Sequence, residues 1–230
     1  MNFSEKHGEK AWLDGIIIGD TRTGKSEAAA QLVKHYGMGE MISCESASYA
    51  GITGGLDRTP DGQWIIRWGV IPVNHQRAVV LDEVSGLTAQ QISQMTNIRT
   101  TGKVILNKIE DGTAWAETRL LWLANPRDSK MSDYTYGVGA LGKLVGNRED
   151  ISRFDIAMGA FSEEVDSSII NRMRDSPPPQ RYEQHAMQNL LRWTWTRGPD
   201  DIVFTSGAVK KGLDIAIRMG EQYYNDPPLI

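Results

Sequence analysis

Eight consecutive residues, Gly19-Asp20-Thr21-Arg22-Thr23-Gly24-Lys25-Ser26, carry glycine, lysine and a hydroxyl at the spacing G-x-x-x-x-G-K-[ST]. Backbone N–H groups of such a loop, together with the first turn of a following helix, form a positive concavity that suits phosphate oxygens. Lys25 would bring a full charge to the β- and γ-phosphates, and the Ser26 hydroxyl would ligate Mg²⁺. Further along, Val79-Val80-Leu81-Asp82-Glu83 has the form of a Walker B element. Asp82 would hold the Mg²⁺ water shell and Glu83 would polarise the attacking water as general base; solvated acids at a strand end have the same letters. Asn125, fixed by Pro126, could orient that water or touch the γ-phosphate, or simply make an Asn-Pro turn. In Ser152-Arg153-Phe154-Asp155, Arg153 could serve a neighbouring subunit's γ-phosphate as an arginine finger. A surface arginine paired with Asp155 would read identically.

These residues need elements to hold them. Ile16-Ile17-Ile18 leads into the loop as a β-branched buried strand, and Glu27 to Val33 leads out as a helix. Gly37-Met38-Gly39 closes that helix as a C-cap. Met41-Ile42-Ser43, Ala78 to Leu81 and Leu120 to Ala124 read as further strands, the acids being expected on a strand directly beside the phosphate strand. Thr59-Pro60-Asp61-Gly62 is a turn before the strand Trp64 to Trp68, which makes a hairpin-bearing excursion. One helix is expected from Thr88 through Ile98, capped by the Thr88 hydroxyl. Val104 to Leu106 and Trp115 to Thr118 flank Glu110-Asp111-Gly112, whose Asp-Gly is a favoured tight-turn dipeptide. A glycine-rich, mobile segment is expected over about 129–146. The run Pro177-Pro178-Pro179 marks a boundary, beyond which lie two helical patterns, about 180–197 and 206–224.

Bulk properties narrow the class. The chain has 230 residues, 40% hydrophobic and 23% charged, as expected of one globular domain or one domain with an appendage. A net charge of −4 means that any nucleic-acid contact must come from a local cluster of Lys and Arg. The single cysteine, Cys44, excludes an internal disulfide and fits a reducing compartment, and four scattered histidines give no zinc spacing. No stretch is apolar enough for a membrane span. The expected setting is soluble and intracellular, cytoplasmic or nucleoid-associated.

The order of phosphate loop, Asp-Glu, Asn-Pro and Ser-Arg-Phe-Asp resembles the AAA+ ATPase core of minichromosome maintenance (MCM) replicative helicases. The stretch Ser46-Ala47-Ser48-Tyr49-Ala50-Gly51-Ile52-Thr53 is similar to the family's Ser-rich segment after the second core helix. Asp61-Gly62-Gln63-Trp64 to Gly69-Val70 resembles its helix-2 insert hairpin, and the Glu110-Asp111-Gly112 hairpin stands where the family carries its pre-sensor-1 hairpin. Glu117 departs from the pattern, standing where the family has a basic residue. The resemblance covers about residues 12–156. It implies an α/β fold of AAA+ P-loop type: a five-stranded parallel sheet between helices, β-hairpin insertions, and a partial C-terminal helical lid. It divides the chain into a nucleotide-binding core over 1–176, with an insert at about 46–70 and a hairpin at about 103–118, and a lid over 177–230. It implies a homo-oligomeric ring, usually a hexamer, binding ATP and Mg²⁺ between subunits. Lys25, Ser26, Asp82, Glu83 and Asn125 would act in cis and Arg153 in trans, while Lys103, Lys108 and Arg67 would grip single-stranded DNA through its backbone. The chain reads as an isolated or truncated motor core, without an N-terminal DNA-binding or zinc region. A remodelling ATPase of the MoxR or magnesium-chelatase kind, acting on a protein partner, shares the same phosphate loop, Asp-Glu and hairpin.

Overall fold

A computed structural model describes residues 10, 12–162 and 181–222. The expected boundary at Pro177–Pro179 and the two chain ends lie outside the described residues. Five strands form one parallel sheet: β1 (Asp14–Gly19), β2 (Gly39–Ser43), β5 (Ala78–Asp82), β8 (Arg119–Ala124) and β9 (Ile156–Ala160), in the order β2-β5-β8-β1-β9. The β-branched and leucine-rich runs suit strands covered on both faces. Strand pleating then sorts their side chains. Ile16, Ile18, Val79, Leu81, Leu120, Trp122 and Ala124 enter the larger core, whereas Val80 and Leu123, with Ile17 and Leu121, line the opposite face.

Helix α1 (Lys25–Tyr36) covers the smaller face through Ala29 and Val33 and ends at Gly37, whose φ of 61° lets its N–H reach Val33 O. Here α2 is Tyr49–Ile52 and α3 is Val70–Val73. On the larger face lie α4 (Ala89–Gln94), α5 (Thr96–Thr101), α6 (Leu141–Val145) and α7 (Arg148–Ile151). Thr88 caps α4 in a full capping box with Gln91. The single helix expected over 88–98 is two helices, broken at the fully buried Met95. Thr96 turns its hydroxyl to the buried Asp150, which draws the start of α5 toward α7.

Two antiparallel hairpins stand outside the main sheet: β3 (Gly54–Arg58) with β4 (Trp64–Trp68), and β6 (Lys103–Asn107) with β7 (Asp111–Trp115). Asp111 and Gly112 belong to β7, and residues 108–110 make the turn in their place. Close packing decides this, because a methyl on Gly112 would fall 2.3 Å from Ile66 Cδ1 of the neighbouring hairpin. The segment expected to be mobile at 129–146 is instead packed, with Met131, Ala140, Leu141 and Leu144 fully buried. Gly137 within it permits close approach: a methyl there would sit 2.6 Å from Met131 Cε and 2.9 Å from Phe161 Cζ.

Helix α8 (Gln184–Trp195) lies against α1. Gln184 and Gln188 donate to Lys34 O and His35 O at 3.1 and 3.0 Å, satisfying carbonyls that the last turn of α1 leaves open. Between α8, α1 and the sheet remains an apolar cavity of about 430 Å³. Helix α9 (Ser206–Gln222) follows, with Val209, Leu213 and Ile217 exposed.

Candidate functional site

The carboxyl ends of β1 and β8 lie side by side, and their chains leave in opposite directions: β1 continues to β2 at one edge, β8 to β9 at the other. Such a divergence opens a crevice at the carboxyl edge of a parallel sheet. The loop 19–26 sits there. Gly19 must be glycine, since a Cβ would lie 2.4 Å from Ala160 O. Arg22 and Gly24 take positive φ of 64° and 81°, the second as N-cap of α1 with no side chain capping it. The first amides of a twelve-residue helix therefore open toward the crevice.

Lys25 Nζ folds back onto its own loop, donating to Gly19 O (3.0 Å), Asp20 O (2.7 Å) and Thr23 Oγ1 (3.1 Å), and across to Asn125 Oδ1 (3.2 Å). Burial lowers its pKa, and the charges of Asp20 and Asp82 partly offset that. Ser26 Oγ donates to Asp82 Oδ1 at 3.0 Å. Glu83 follows in a left-handed conformation, φ 54°, ψ 43°, and its carboxylate accepts a hydrogen bond from Ser43 Oγ. Around these groups lies a cavity of about 260 Å³ lined by residues 21–27, Asp82, Glu83, Leu123, Ala124 and Asn125.

Asp82 is not on the strand beside the phosphate strand, as the sequence reading expected. β8 lies between β1 and β5, and this puts Asn125, not the acids, on the immediate neighbour. Ser26 and Asp82 still meet across the end of β8, at 3.0 Å. Only two oxygen side chains converge, so the donor set fits Mg²⁺, which keeps most of its waters and takes remaining ligands from a phosphate. Among the described residues no cluster of three or more His, Cys, Asp or Glu could hold a metal by itself.

Arg153 is elsewhere. It precedes β9, at the amino end of the sheet, and donates to Thr100 Oγ1 at 2.7 Å with Asp150 Oδ1 at 3.9 Å. Its partner is therefore not Asp155, which instead takes Lys10 and the Asp14 amide. Lys103 lies over the Trp115 ring at 4.3 Å, Lys108 stands at the turn of its hairpin, and Arg67 pairs with Asp57 at 3.1 Å. Trp68 packs against the core, while Trp64 carries Arg58 at 4.6 Å. Each hairpin is electrically neutral: Arg58 and Arg67 are balanced by Asp57 and Asp61 in one, Lys103 and Lys108 by Glu110 and Asp111 in the other.

Two neighbours of these groups carry no motif in the sequence. Ser43 pairs with Asp82 in the sheet register and so lies beside Glu83; recognising β2 and β5 as adjacent would have found it. Arg127 donates to Leu87 O and Ser85 O, tying the exit of β8 to the exit of β5. Cys44 is a tempting nucleophile here, but burial beside Asp82 and Glu83 pushes its thiol up to about 12, so it stays protonated.

Among the described residues no helix is long and apolar enough to cross a membrane. No model of a known protein family matches the chain, and no curated protein matches it significantly.

Proposed function

We propose that the chain is the ATP-hydrolysing core of an AAA+ motor resembling the MCM helicases. It would work as a ring on single-stranded DNA, with Arg153 completing the site of an adjacent subunit. One observation carries the nucleotide reading: three separate strands bring Lys25, Ser26, Asp82, Glu83 and Asn125 around a single cavity at the carboxyl edge of the sheet. A triphosphate would take its oxygens to the loop amides and draw Lys25 Nζ away from the loop carbonyls. Mg²⁺, when bound through Ser26 and Asp82, would neutralise charge on the β- and γ-oxygens. Glu83 would accept the proton of the water that attacks the γ-phosphorus, as the bond to the β–γ bridging oxygen breaks and ADP leaves. Asn125 would orient that water. In the present conformation Glu83 is engaged by Ser43, so reaching the water requires that hydrogen bond to open.

The test is ATPase activity and binding of a fluorescent ADP. Wild-type chain should bind, and Lys25→Ala should abolish binding. Glu83→Gln should retain binding and lose turnover by about 10²–10⁴-fold. Wild-type chain that neither binds nor hydrolyses any nucleoside triphosphate at high concentration would sink the reading.

The neutral hairpins favour a second reading for the partner alone. Ile65, Ile105, Ile109 and Trp115 are exposed on them at 44%, 49%, 68% and 54%. Such a surface suits an unfolded polypeptide as well as stacked bases. Single-stranded DNA that leaves the ATPase rate unchanged, with no effect of Lys103→Glu or Lys108→Glu, would decide for a protein-remodelling ATPase. Sizing with and without a non-hydrolysable ATP analogue tests the ring, and a monomer in both conditions refutes it.

A further inference from the structure

The second residue of the phosphate loop has its carboxylate turned away from the cavity. Asp20 does not line the 260 Å³ space. Its Oδ1 accepts from the Met131 amide at 3.0 Å, and its Oδ2 accepts from the Ser162 amide at 3.3 Å and the Ser162 hydroxyl at 3.2 Å. The backbone of the same residue works on the loop itself. Its N–H donates to Ala160 O at 3.2 Å, and its carbonyl accepts from Lys25 Nζ at 2.7 Å and Thr23 Oγ1 at 3.0 Å. One residue thus joins the exits of β1, β8 and β9. The anchor on the β8 side is firm, since Met131 is fully buried against Gly137 and Gly159.

We propose that Asp20 is a positioning residue of the phosphate site, whose carboxylate holds the loop against the β8 and β9 connections so that its amides stay pre-set for a polyphosphate. This rests on the nucleotide reading above. The loop needs such a tether because two of its residues hold left-handed backbone, a state that free chain leaves readily. A carboxylate is the right group: three donors converge on its two oxygens, whereas an asparagine would set an NH₂ against one of those N–H groups. Burial pushes the Asp20 carboxyl up, but the bonds from Met131 and Ser162, with the charge of Lys25, outweigh it and hold the group below its usual range.

The experiment measures affinity for a fluorescent ADP, with and without Mg²⁺, on wild type, Lys25→Ala, Asp20→Ala and Asp20→Asn, each checked for folding by circular dichroism at the assay temperature. Asp20→Ala should weaken binding about tenfold or more through lost pre-organisation. Asp20→Asn should fall between it and wild type, and the factor should be the same with and without Mg²⁺. A folded Asp20→Ala with wild-type affinity overturns the proposal. So does a loss seen only with Mg²⁺, which would make Asp20 a metal contact. If Asp20→Ala fails to fold, Asp20→Asn carries the same two outcomes. Wild type that takes up no ADP is a different failure, because it removes the nucleotide reading itself.

Discussion

The two ends of the central sheet each carry a cluster of Asp, Thr or Ser, and a cation, yet they differ in almost everything else. At the amino end, Asp14 and Arg99 pair with both side chains at 0% exposure. Arg99 lies 4.0 Å from the Phe154 ring and 5.2 Å from that of Trp122, and it donates to Asp150 O at 3.1 Å. Asp150 takes Thr96 and, at 2.7 Å, Asn147. At the carboxyl end, Lys25 donates to its own loop and to Asn125, Ser26 donates to Asp82, and Glu83 accepts from Ser43, all around open space. The Asp14–Arg99 pair of the first cluster is fully buried beside the Phe154 and Trp122 rings. The second leaves amides and side-chain valences facing a cavity. A cation beside a carboxylate is therefore no mark of function by itself; solvent-accessible space among the charges is what separates a site from a buried strut.

Mutation should separate the ends. Asp14→Ala leaves the Arg99 charge buried and unpaired, and should cost about 3–5 kcal/mol in urea unfolding. A loss under about 1 kcal/mol would show that water reaches Arg99 and that the cluster is not sealed. Arg153→Ala removes a hydrogen bond to Thr100 at the rim of this cluster, which should cost about 1 kcal/mol. If Arg153 also serves a neighbouring subunit, mixing this variant with wild type should depress turnover well beyond that small change, whereas proportional activity would make it a strut only. Lys25→Ala, at the open end, should lower the free energy of chemical unfolding by no more than about 1 kcal/mol, since its loop hydrogen bonds are offset by the cost of burying its charge, while removing nucleotide binding. A large loss of stability would mean that both ends are structural.

Acid should reach both ends through carboxyls held low. Burial raises Asp150, but its bonds from Thr96 and Asn147 outweigh that, and Asp20 is held low in the same way. Both folded-state values lie below the ordinary 3.8, so the stability they contribute is complete above that value. It disappears as pH falls further, through the folded values. Asp14 runs the other way, since burial raises it against the charge of Arg99. Thermal midpoints should drop once the pH falls below the ordinary carboxylate range, through the folded values of Asp150 and Asp20, with a shallower drop in Asp150→Asn.

Much of this was legible in the chain. The strand Trp64–Trp68 has the bounds its residues suggested, and the runs at 16–18, 78–81 and 120–124 are parallel strands, because β-branched and leucine-rich stretches that short have little other use in a core. Gly37 closes α1 as its position implied. The misses share a cause. Gly112 was read as a turn residue and Gly137 as a sign of mobility, whereas both are glycine because another chain segment passes within contact distance. Thr88 to Ile98 has helical letters throughout, and only the burial of Met95 and the reach of Thr96 to Asp150 break it.

The residue types and spacing of Gly19–Ser26, Asp82-Glu83 and Asn125 were determined by sequence alone, since local chemistry decides which groups could hold phosphate, metal and water. Strand order was not, because neighbours in a sheet are chosen by packing between segments far apart in the chain. That order set β8 between β1 and β5, joined Lys25 to Asn125, left Glu83 with Ser43, and put Arg153 at the far end of the sheet.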